Sequence, residues 1–239
     1  LIRGHFHWHS FPKKLAEEFP NDSVHLFDLP GNGERNKDYS PMDIGEYTDD
    51  IRYQARKLEN IHVIAISLGG MVALDWIAHH PEEVASAFII NTSLGDSGPF
   101  YKRLNYLTYP KLAKSLFENS AAREKLILDL TANNLKVHED VLSANIAFAE
   151  KYPIDRANFF RQMLAAGKTR FNPRLNQFKN LHFITSRNDR LVNYENTYNL
   201  CERLELKPHV HPWAGHDLTL DDPAFLLPLL RDTFPNPKA

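Results

Sequence analysis

The chain has 239 residues, 43% of them hydrophobic, and its 28 Lys and Arg residues nearly balance 30 Asp and Glu residues, which leaves a net charge of −2. This length suits one domain of ordinary size or one domain with an insertion, and the hydrophobic share is enough for a substantial core. The balanced charge argues against nucleic acid as a partner, and the single cysteine, Cys201, excludes an intramolecular disulfide. The longest nearly unbroken apolar run, residues 63–74, is too short to span a bilayer.

Residues 1–94 alternate between signals for strands and signals for helices. Short apolar runs predict strands, and apolar residues at three- and four-residue spacing predict helices. In chain order we expect the end of a strand at residues 1–4, a strand at 24–29, a helix at 43–58, a strand at 61–66, a helix at 68–79 and a strand at 84–90. This order implies a parallel α/β sheet.

The character of the sequence changes at about residue 95, where strand-like runs disappear. We expect helices at 112–130, 140–150 and 156–166. The alternation then returns, with a strand at 181–185, a helix at 194–204, a strand at 208–211 and a helix at 223–233. The sequence therefore predicts an α/β core in two parts, residues 1–94 and 171–239, interrupted by a helical insertion at 95–170.

The sharpest local motif is Ala65-Ile66-Ser67-Leu68-Gly69, where a buried strand ends at a serine and a helix begins at once. A nucleophile elbow needs this strand–turn–helix context, with small residues two positions before and after the serine. Gly69 meets that requirement, and Ala65 is a modest departure from the usual glycine. The alternative interpretation is a serine that only caps the helix.

A serine nucleophile needs a base, and the base needs a carboxylate that orients it. Asp189 and His216 each lie on a loop that follows a predicted strand. Ser67, Asp189 and His216 would therefore share the carboxyl edge of the sheet, where open parallel sheets place their active sites. Asp96, which follows an earlier strand, is a less favoured candidate for the acid.

The chain resembles the α/β-hydrolase family over nearly its whole length. Residues 28–33 (DLPGNG) resemble the family's D-x-P-G-x-G turn, and the helical insertion falls where the family carries a cap. The order Ser67, Asp189, His216 matches the family's nucleophile, acid and base. The resemblance implies a mostly parallel sheet with a helical cap, and it implies two further strands before Leu1.

The resemblance also implies an oxyanion hole made of backbone N–H groups. Arg3-Gly4-His5-Phe6 resembles the family's H-G-x motif, with arginine at the position of the histidine. Leu68, which follows the nucleophile, would supply one N–H, and His5 or Phe6 would supply the other.

No motif indicates a bound metal or organic cofactor. Residues 31–33 lack the third glycine and the Lys-Ser/Thr ending of a phosphate-binding loop. His5, His7 and His9 would share one face of a strand and could ligate a metal there. However, they follow a glycine in an expected loop, and no nearby acidic or thiol residue completes a set of ligands.

These features predict a carboxylesterase-like serine hydrolase of the cytoplasm that cleaves an ester or thioester of a small substrate through an acyl-enzyme. Aromatic residues of the insertion favour a partly apolar substrate, and Lys102, Arg103 or Arg161 could bind an anionic group on it. The same machinery could serve acyl transfer, C–C bond hydrolysis or lyase chemistry, because a fold and a triad do not fix the reaction. Outside the enzymes, the alternative is a small-molecule receptor.

Overall fold

The computed structural model describes residues 2–134 and 138–234, and its central feature is a parallel sheet of four strands. In order across the sheet these are β1 (Ile61–Ile66), β2 (Val84–Ile90), β3 (Leu181–Ser186) and β4 (His209–His211). Ile66 pairs with Ile90, and Ser186 pairs with His211. This register brings the carboxyl ends of the strands together at one edge of the sheet.

Helices surround the sheet and also fill the long connection between β2 and β3. In chain order the described α-helices are α1 (Phe11–Glu18), α2 (Ile44–Ala55), α3 (Leu68–His79), α4 (Phe100–Arg103), α5 (Tyr109–Ser115), α6 (Ser120–Thr131), α7 (His138–Lys151), α8 (Arg156–Lys168), α9 (Glu195–Arg203), α10 (Leu218–Asp221) and α11 (Leu226–Thr233). No helix among the described residues combines the length and the apolar character that a bilayer crossing requires.

Strand β2 lies at the centre of the core, because its side chains alternate between two buried clusters. Ala87 and Ile89 belong to the cluster that includes apolar residues of α2, α3 and α9. Phe88 and Ile90 belong to the other cluster, with apolar residues of α1 and α11. Helices therefore cover both faces of the sheet, which explains why the strand runs are apolar throughout.

Several predicted elements match the structure closely. The strands at 61–66 and 84–90 and the helix at 68–79 have the predicted bounds, and β3 and β4 differ from their predictions by one residue at one end. Between β2 and β3, the described residues contribute helices and no strand to the fold. The fold class predicted from the sequence, a mostly parallel α/β sheet, is confirmed.

The predicted strand at 24–29 is wrong. These residues run as irregular chain, and Val24 and Leu26 are 37% and 41% exposed. A strand needs a neighbouring chain to take its N–H and C=O groups, and β1 has no partner in the described part of the chain on the side away from β2. Residues 2–4 are likewise irregular, so the predicted strand end there is also wrong, and Leu1 lies outside the described residues.

Two helical predictions also need correction. The single helix predicted at 112–130 is two helices, α5 and α6, because the Asn119 side chain caps a new helix by accepting a hydrogen bond from the Ala122 N–H at 2.9 Å. Helix α1 was not predicted. Its buried residues Phe11 and Leu15, spaced by four, with Pro12 in the first turn, are the signal that identifies it in retrospect.

Candidate functional site

Ser67 sits in the sharp turn between β1 and α3. Its backbone has φ 55° and ψ −117°, a conformation that residues with a side chain rarely adopt. The turn is held from both sides, since the Ser67 N–H donates to the Ile90 carbonyl at 2.9 Å and the Thr92 hydroxyl donates to the Ser67 carbonyl at 2.8 Å. The Ser67 side chain makes no capping hydrogen bond to α3, so the interpretation as a mere helix cap has no support here.

The two glycines that follow Ser67, Gly69 and Gly70, differ in whether the structure has room for a side chain. A Cβ placed on Gly69 would meet only the Ala65 Cβ, at 3.9 Å, an ordinary contact. A Cβ on Gly70 would lie 2.9 Å from the Thr92 Cβ, closer than real Cβ atoms approach, and 3.0 Å from the Ile89 Cγ2, closer than most of them do. Gly70 is therefore the glycine that lets α3 pack tightly on β2, a requirement that the sequence motif did not reveal.

Asp189 and His216 meet at the carboxyl ends of β3 and β4. The Nδ1 of His216 lies 2.7 Å from Oδ2 of Asp189, and both side chains are almost completely buried, with 6% and 1% exposure. The other carboxylate oxygen accepts the backbone N–H groups of Leu191 at 2.8 Å and Val192 at 2.9 Å. Because a carboxylate only accepts, the proton of the neutral imidazole lies on Nδ1, and the lone pair on Nε2 is left for another group.

The structure brings Ser67, Asp189 and His216 to the same edge of the sheet: Ser67 directly follows β1, and Asp189 and His216 lie on the loops after β3 and β4. In the described part of the chain no hydrogen bond joins the Ser67 hydroxyl to His216. Such bonds are often loose without substrate and close when it binds. Asp96, the other candidate acid, faces elsewhere, because its carboxylate accepts the Phe171 N–H and pairs with Arg203, at 3.2 Å in each case.

Asn91 is a site residue that the sequence analysis missed. It follows β2 directly and has a positive φ of 47°. Its side-chain amide donates to the His216 carbonyl at 2.8 Å and to the Ser186 hydroxyl at 3.0 Å, and its oxygen accepts the Ser186 N–H at 2.7 Å. Asn91 thus ties the end of β3 to the loop of His216. A buried polar residue directly after a central strand was the available signal.

The candidate oxyanion donors are not equivalent. The His5 N–H donates to the Asp28 carboxylate, which also lies 2.9 Å from the Nδ1 of the same histidine. The N–H groups of Phe6 and Leu68 have no hydrogen-bond partner among the described residues. Of the two residues predicted for the second donor, Phe6 is therefore the one whose N–H is available.

A largely buried ionic group lies next to His216. Arg3 donates from Nη2 to Asp217 Oδ2 at 2.8 Å and from Nη1 to Glu124 Oε2 at 3.3 Å. Burial alone would raise the pKa of Asp217, but the charge of Arg3, and after it the interactions with His216 and the Thr131 hydroxyl, outweigh burial, so the pKa lies below its ordinary value. Glu124 behaves in the same way, since burial is outweighed by the His7 side chain and by Arg3. We call Arg3, Glu124, Thr131 and Asp217 the Arg3 cluster.

The lowered pKa values predict a loss of stability in acid. A carboxyl group whose pKa is lower in the folded state contributes stability above its ordinary pKa, near 4, and loses that stability as the pH falls through its folded pKa. We expect the free energy of unfolding, measured in urea, to fall more steeply between pH 5 and 2 in the wild type than in Glu124→Gln. Glu17→Gln, which removes an exposed carboxylate, is the control, and equal slopes in all three proteins would contradict the prediction.

The N-terminal histidines do not form a strand face, since His5 to Trp8 make a turn of 3-10 helix. Burial, and then the charge of Arg3, lower the pKa of His7, and the same two causes lower the pKa of His9 to about 4. In the residues that the structure describes, one group of three His, Cys, Asp or Glu side chains has ligand atoms within 4.8 Å of one another, namely His80, Glu82 and Glu83.

That group adjoins a surface groove of about 600 Å³, which Ser67 does not line. Ile61, at the amino end of β1, lines the groove, whereas Ser67 follows the carboxyl end of the same strand. Arg52 and Glu83, two charged residues that line the groove, form an ion pair with each other. The hydrogen bonds from Arg52 lower the pKa of Glu83 to about 2. We therefore place the candidate active site at Ser67 and not in this groove.

Comparison with known proteins agrees with the geometry. Residues 1–229 match the model of a family described as the alpha/beta hydrolase family. A comparison with curated protein sequences gives no match.

Solved structures share the fold at low sequence identity. A hydrolase from Oleispira antarctica is 16% identical, with a TM-score of 0.75, over 97% of this chain and 87% of its own. The 2-hydroxy-6-oxo-6-phenylhexa-2,4-dienoate hydrolase from Rhodococcus sp. strain RHA1 is 19% identical, with a TM-score of 0.71, over 98% and 89%. The enol-lactonase from Burkholderia xenovorans LB400 is 15% identical, with a TM-score of 0.73, over 96% and 86%.

Proposed function

The chain belongs to the α/β-hydrolase family, and on that premise we propose that it is a serine hydrolase that cleaves an ester or thioester of a small, partly apolar substrate. The observation that carries this proposal is the buried Asp189–His216 pair at 2.7 Å, which lies at the same edge of the sheet as a serine in a strained turn. The lone thiol does not compete as nucleophile, since burial raises the pKa of Cys201 to about 12.

In the proposed mechanism, Ser67 Oγ attacks the substrate carbonyl while His216 Nε2 takes the hydroxyl proton. Asp189 holds the imidazole in the required tautomer and stabilises its charged form. His216 then gives the proton to the leaving alcohol or thiol, which leaves an acyl group on Ser67. Water, activated by the same imidazole, releases the acid and restores the serine.

The negative charge that develops on the carbonyl oxygen needs preorganised donors. We assign this role to the backbone N–H groups of Leu68 and Phe6, which have no partner among the described residues. Leu68 begins α3, so the positive end of the helix dipole adds to its effect. Every group that this mechanism uses comes from the polypeptide, so we expect activity without a metal or an organic cofactor.

We propose that residues 95–170 act as a cap over this site. The Phe148 ring of α7 stacks on Phe6 with ring centres 4.6 Å apart, next to the proposed oxyanion donor. Helix α8 is fastened to the loop at 32–40, since Gln162 donates to Asn32 Oδ1 at 2.7 Å. Aromatic rings at the inner side of the cap would favour a substrate with an apolar acyl or alcohol part.

A second candidate reaction is the hydrolysis of a C–C bond, because one similar structure is a 2-hydroxy-6-oxo-6-phenylhexa-2,4-dienoate hydrolase. The two reactions differ in the bond that breaks and not in the residues of the triad. A parallel assay with p-nitrophenyl butyrate and with that dienoate separates them: turnover of the dienoate alone would replace ester hydrolysis by the second candidate.

Covalent labelling with a fluorophosphonate tests the proposed function directly. We expect the probe to modify Ser67 and no other serine, since the reagent reacts with a hydroxyl that a neighbouring base activates. Peptide mass mapping identifies the labelled residue, and heat-denatured protein is the control for nonspecific reaction. An unlabelled native protein, with no turnover of short esters or thioesters, would favour a receptor.

A further inference from the structure

We propose that Arg3 is a positioning residue, which fastens helix α6 to the loop that carries His216 and thereby fixes the imidazole relative to Ser67. Arg3 stands where the family's motif has histidine, and its longer side chain reaches two carboxylates on different parts of the chain, Glu124 on α6 and Asp217 beside the base. This inference rests on the proposed function, because it assigns a role in placing the proposed base.

The Arg3 cluster is largely shielded from solvent, which strengthens the attraction between its charges. The side chain of Glu124 is 3% exposed, that of Asp217 14%, and that of Arg3 17%. Two carboxylates this deeply buried would repel each other and remain poorly solvated without the guanidinium between them. Arg3 therefore adds an ionic link between α6 and the loop of His216.

The end of α6 lies directly against the loop of the base. Thr131 donates from its hydroxyl to Asp217 Oδ2 at 2.8 Å, and the Asp217 N–H donates to the Thr131 carbonyl at 2.8 Å. The approach is so close that a Cβ on Gly215 would lie 2.5 Å from the same carbonyl. A displacement of α6 must therefore move the loop on both sides of His216.

The residues just after α6 also contact the loop of the acid. The Asn133 side chain donates to the carbonyls of Asn188 at 3.1 Å and Trp213 at 3.0 Å, and Arg190 donates to the Ala132 carbonyl at 2.7 Å. Arg3 thus acts on a segment that touches the loops of both Asp189 and His216. Its effect on catalysis is indirect, through the positions of these loops.

Glu124→Gln is the variant that tests this role, because glutamine keeps the shape of the side chain and removes the charge that draws Arg3 to α6. We expect kcat for p-nitrophenyl butyrate to fall by about tenfold to a hundredfold, the usual cost of a small misplacement of reacting groups. KM should change less than kcat, since the expected effect is on the position of His216 and the Glu124 side chain is only 3% exposed. The rate of fluorophosphonate labelling of Ser67 should fall in parallel with kcat.

Glu83→Gln is the matched control, because it also neutralises a glutamate paired with an arginine, here Arg52 near the amino end of the sheet. It should leave kcat and the labelling rate unchanged. Thermal melts of both variants establish that each is folded at the assay temperature. If Glu124→Gln matches the control in kcat, KM and labelling rate, Arg3 has no positioning role.

Hydrogen exchange separates failure of this inference from failure of the proposed function. The Asp217 amide, which donates to Thr131, should exchange about tenfold faster in Glu124→Gln than in the wild type or in Glu83→Gln. Unchanged exchange would overturn the inference whatever the activity. The exchange could instead be faster in a protein that neither reacts with the probe at Ser67 nor turns over substrate. That result would support the link between α6 and the loop but contradict the proposed hydrolase function.

A double-mutant cycle that combines Glu124→Gln with Asp217→Asn tests whether the loss of activity in Glu124→Gln arises from its link to Asp217 through Arg3. Glu124 and Asp217 share Arg3 and make no hydrogen bond to each other. If Arg3 links them, the two substitutions together should lower kcat by less than the product of their separate effects. Independent, multiplicative effects would contradict a role for Arg3.

Discussion

Ser67→Ala should abolish the turnover of short-chain p-nitrophenyl esters, with a loss of about a millionfold in kcat, as when other triad nucleophiles are removed. The reason is that, in the proposed mechanism, Oγ forms the bond to the acyl group. The variant should fold normally, because the Ser67 side chain makes no capping hydrogen bond to α3. Alanine also keeps the Cβ, so the strain of the positive φ does not change.

The chain offers a matched control for this experiment. Ser86 also has a histidine partner, since its hydroxyl lies 2.7 Å from His62 Nδ1. However, it lies near the amino end of β2, and among the described residues the other ring nitrogen of His62 contacts the Asn60 amide and no carboxylate hydrogen-bonds to the ring. Ser86→Ala should therefore keep full activity. If purified Ser67→Ala retains more than about a tenth of the wild-type rate, Ser67 is not the nucleophile.

Asp189→Asn should lower kcat by about ten-thousandfold with little effect on folding. An asparagine side chain cannot hold the Nδ1 proton as the carboxylate does, so the imidazole turns to the tautomer that cannot accept the serine proton. The Leu191 and Val192 N–H groups can still donate to the amide oxygen, which preserves the turn. Steady-state kinetics and urea unfolding of the same preparation measure the two effects.

Asp96→Asn is the comparison that identifies the acid. Its carboxylate is engaged by Phe171 and Arg203, away from the base, so this variant should cost some stability and leave kcat unchanged. The opposite pattern, with a large loss in Asp96→Asn and a small one in Asp189→Asn, would show that the acid follows β2 and not β3.

The sequence was sufficient for the buried strands and for the helix that follows Ser67. Apolar runs such as 84–90 identify buried strands, and a polar residue after such a strand must lie at the carboxyl edge, which is why Ser67, Asp189 and His216 could be nominated together. Two failures, the division of 112–130 at the Asn119 cap and the unpredicted helix α1, had local signals that were overlooked. The others have a long-range cause. A strand at 24–29 depends on a neighbouring strand with which to pair. The roles of Asn91 and Arg3 depend on hydrogen-bond partners that lie between 95 and 214 positions away in the sequence, and no local pattern contains such partners.

The pairing of β2 with β3 across the helical insertion has a consequence for how the protein folds. Ile90 and Ile184 are neighbours in the sheet although 94 positions separate them, and the loops that carry Asp189 and His216 lie beyond that join. During synthesis, the segment with Ser67 is complete long before the chain contains its base. Non-local parallel pairing forms slowly. On refolding from urea we therefore expect secondary structure to return first and the proposed activity toward p-nitrophenyl butyrate to recover in the last kinetic phase.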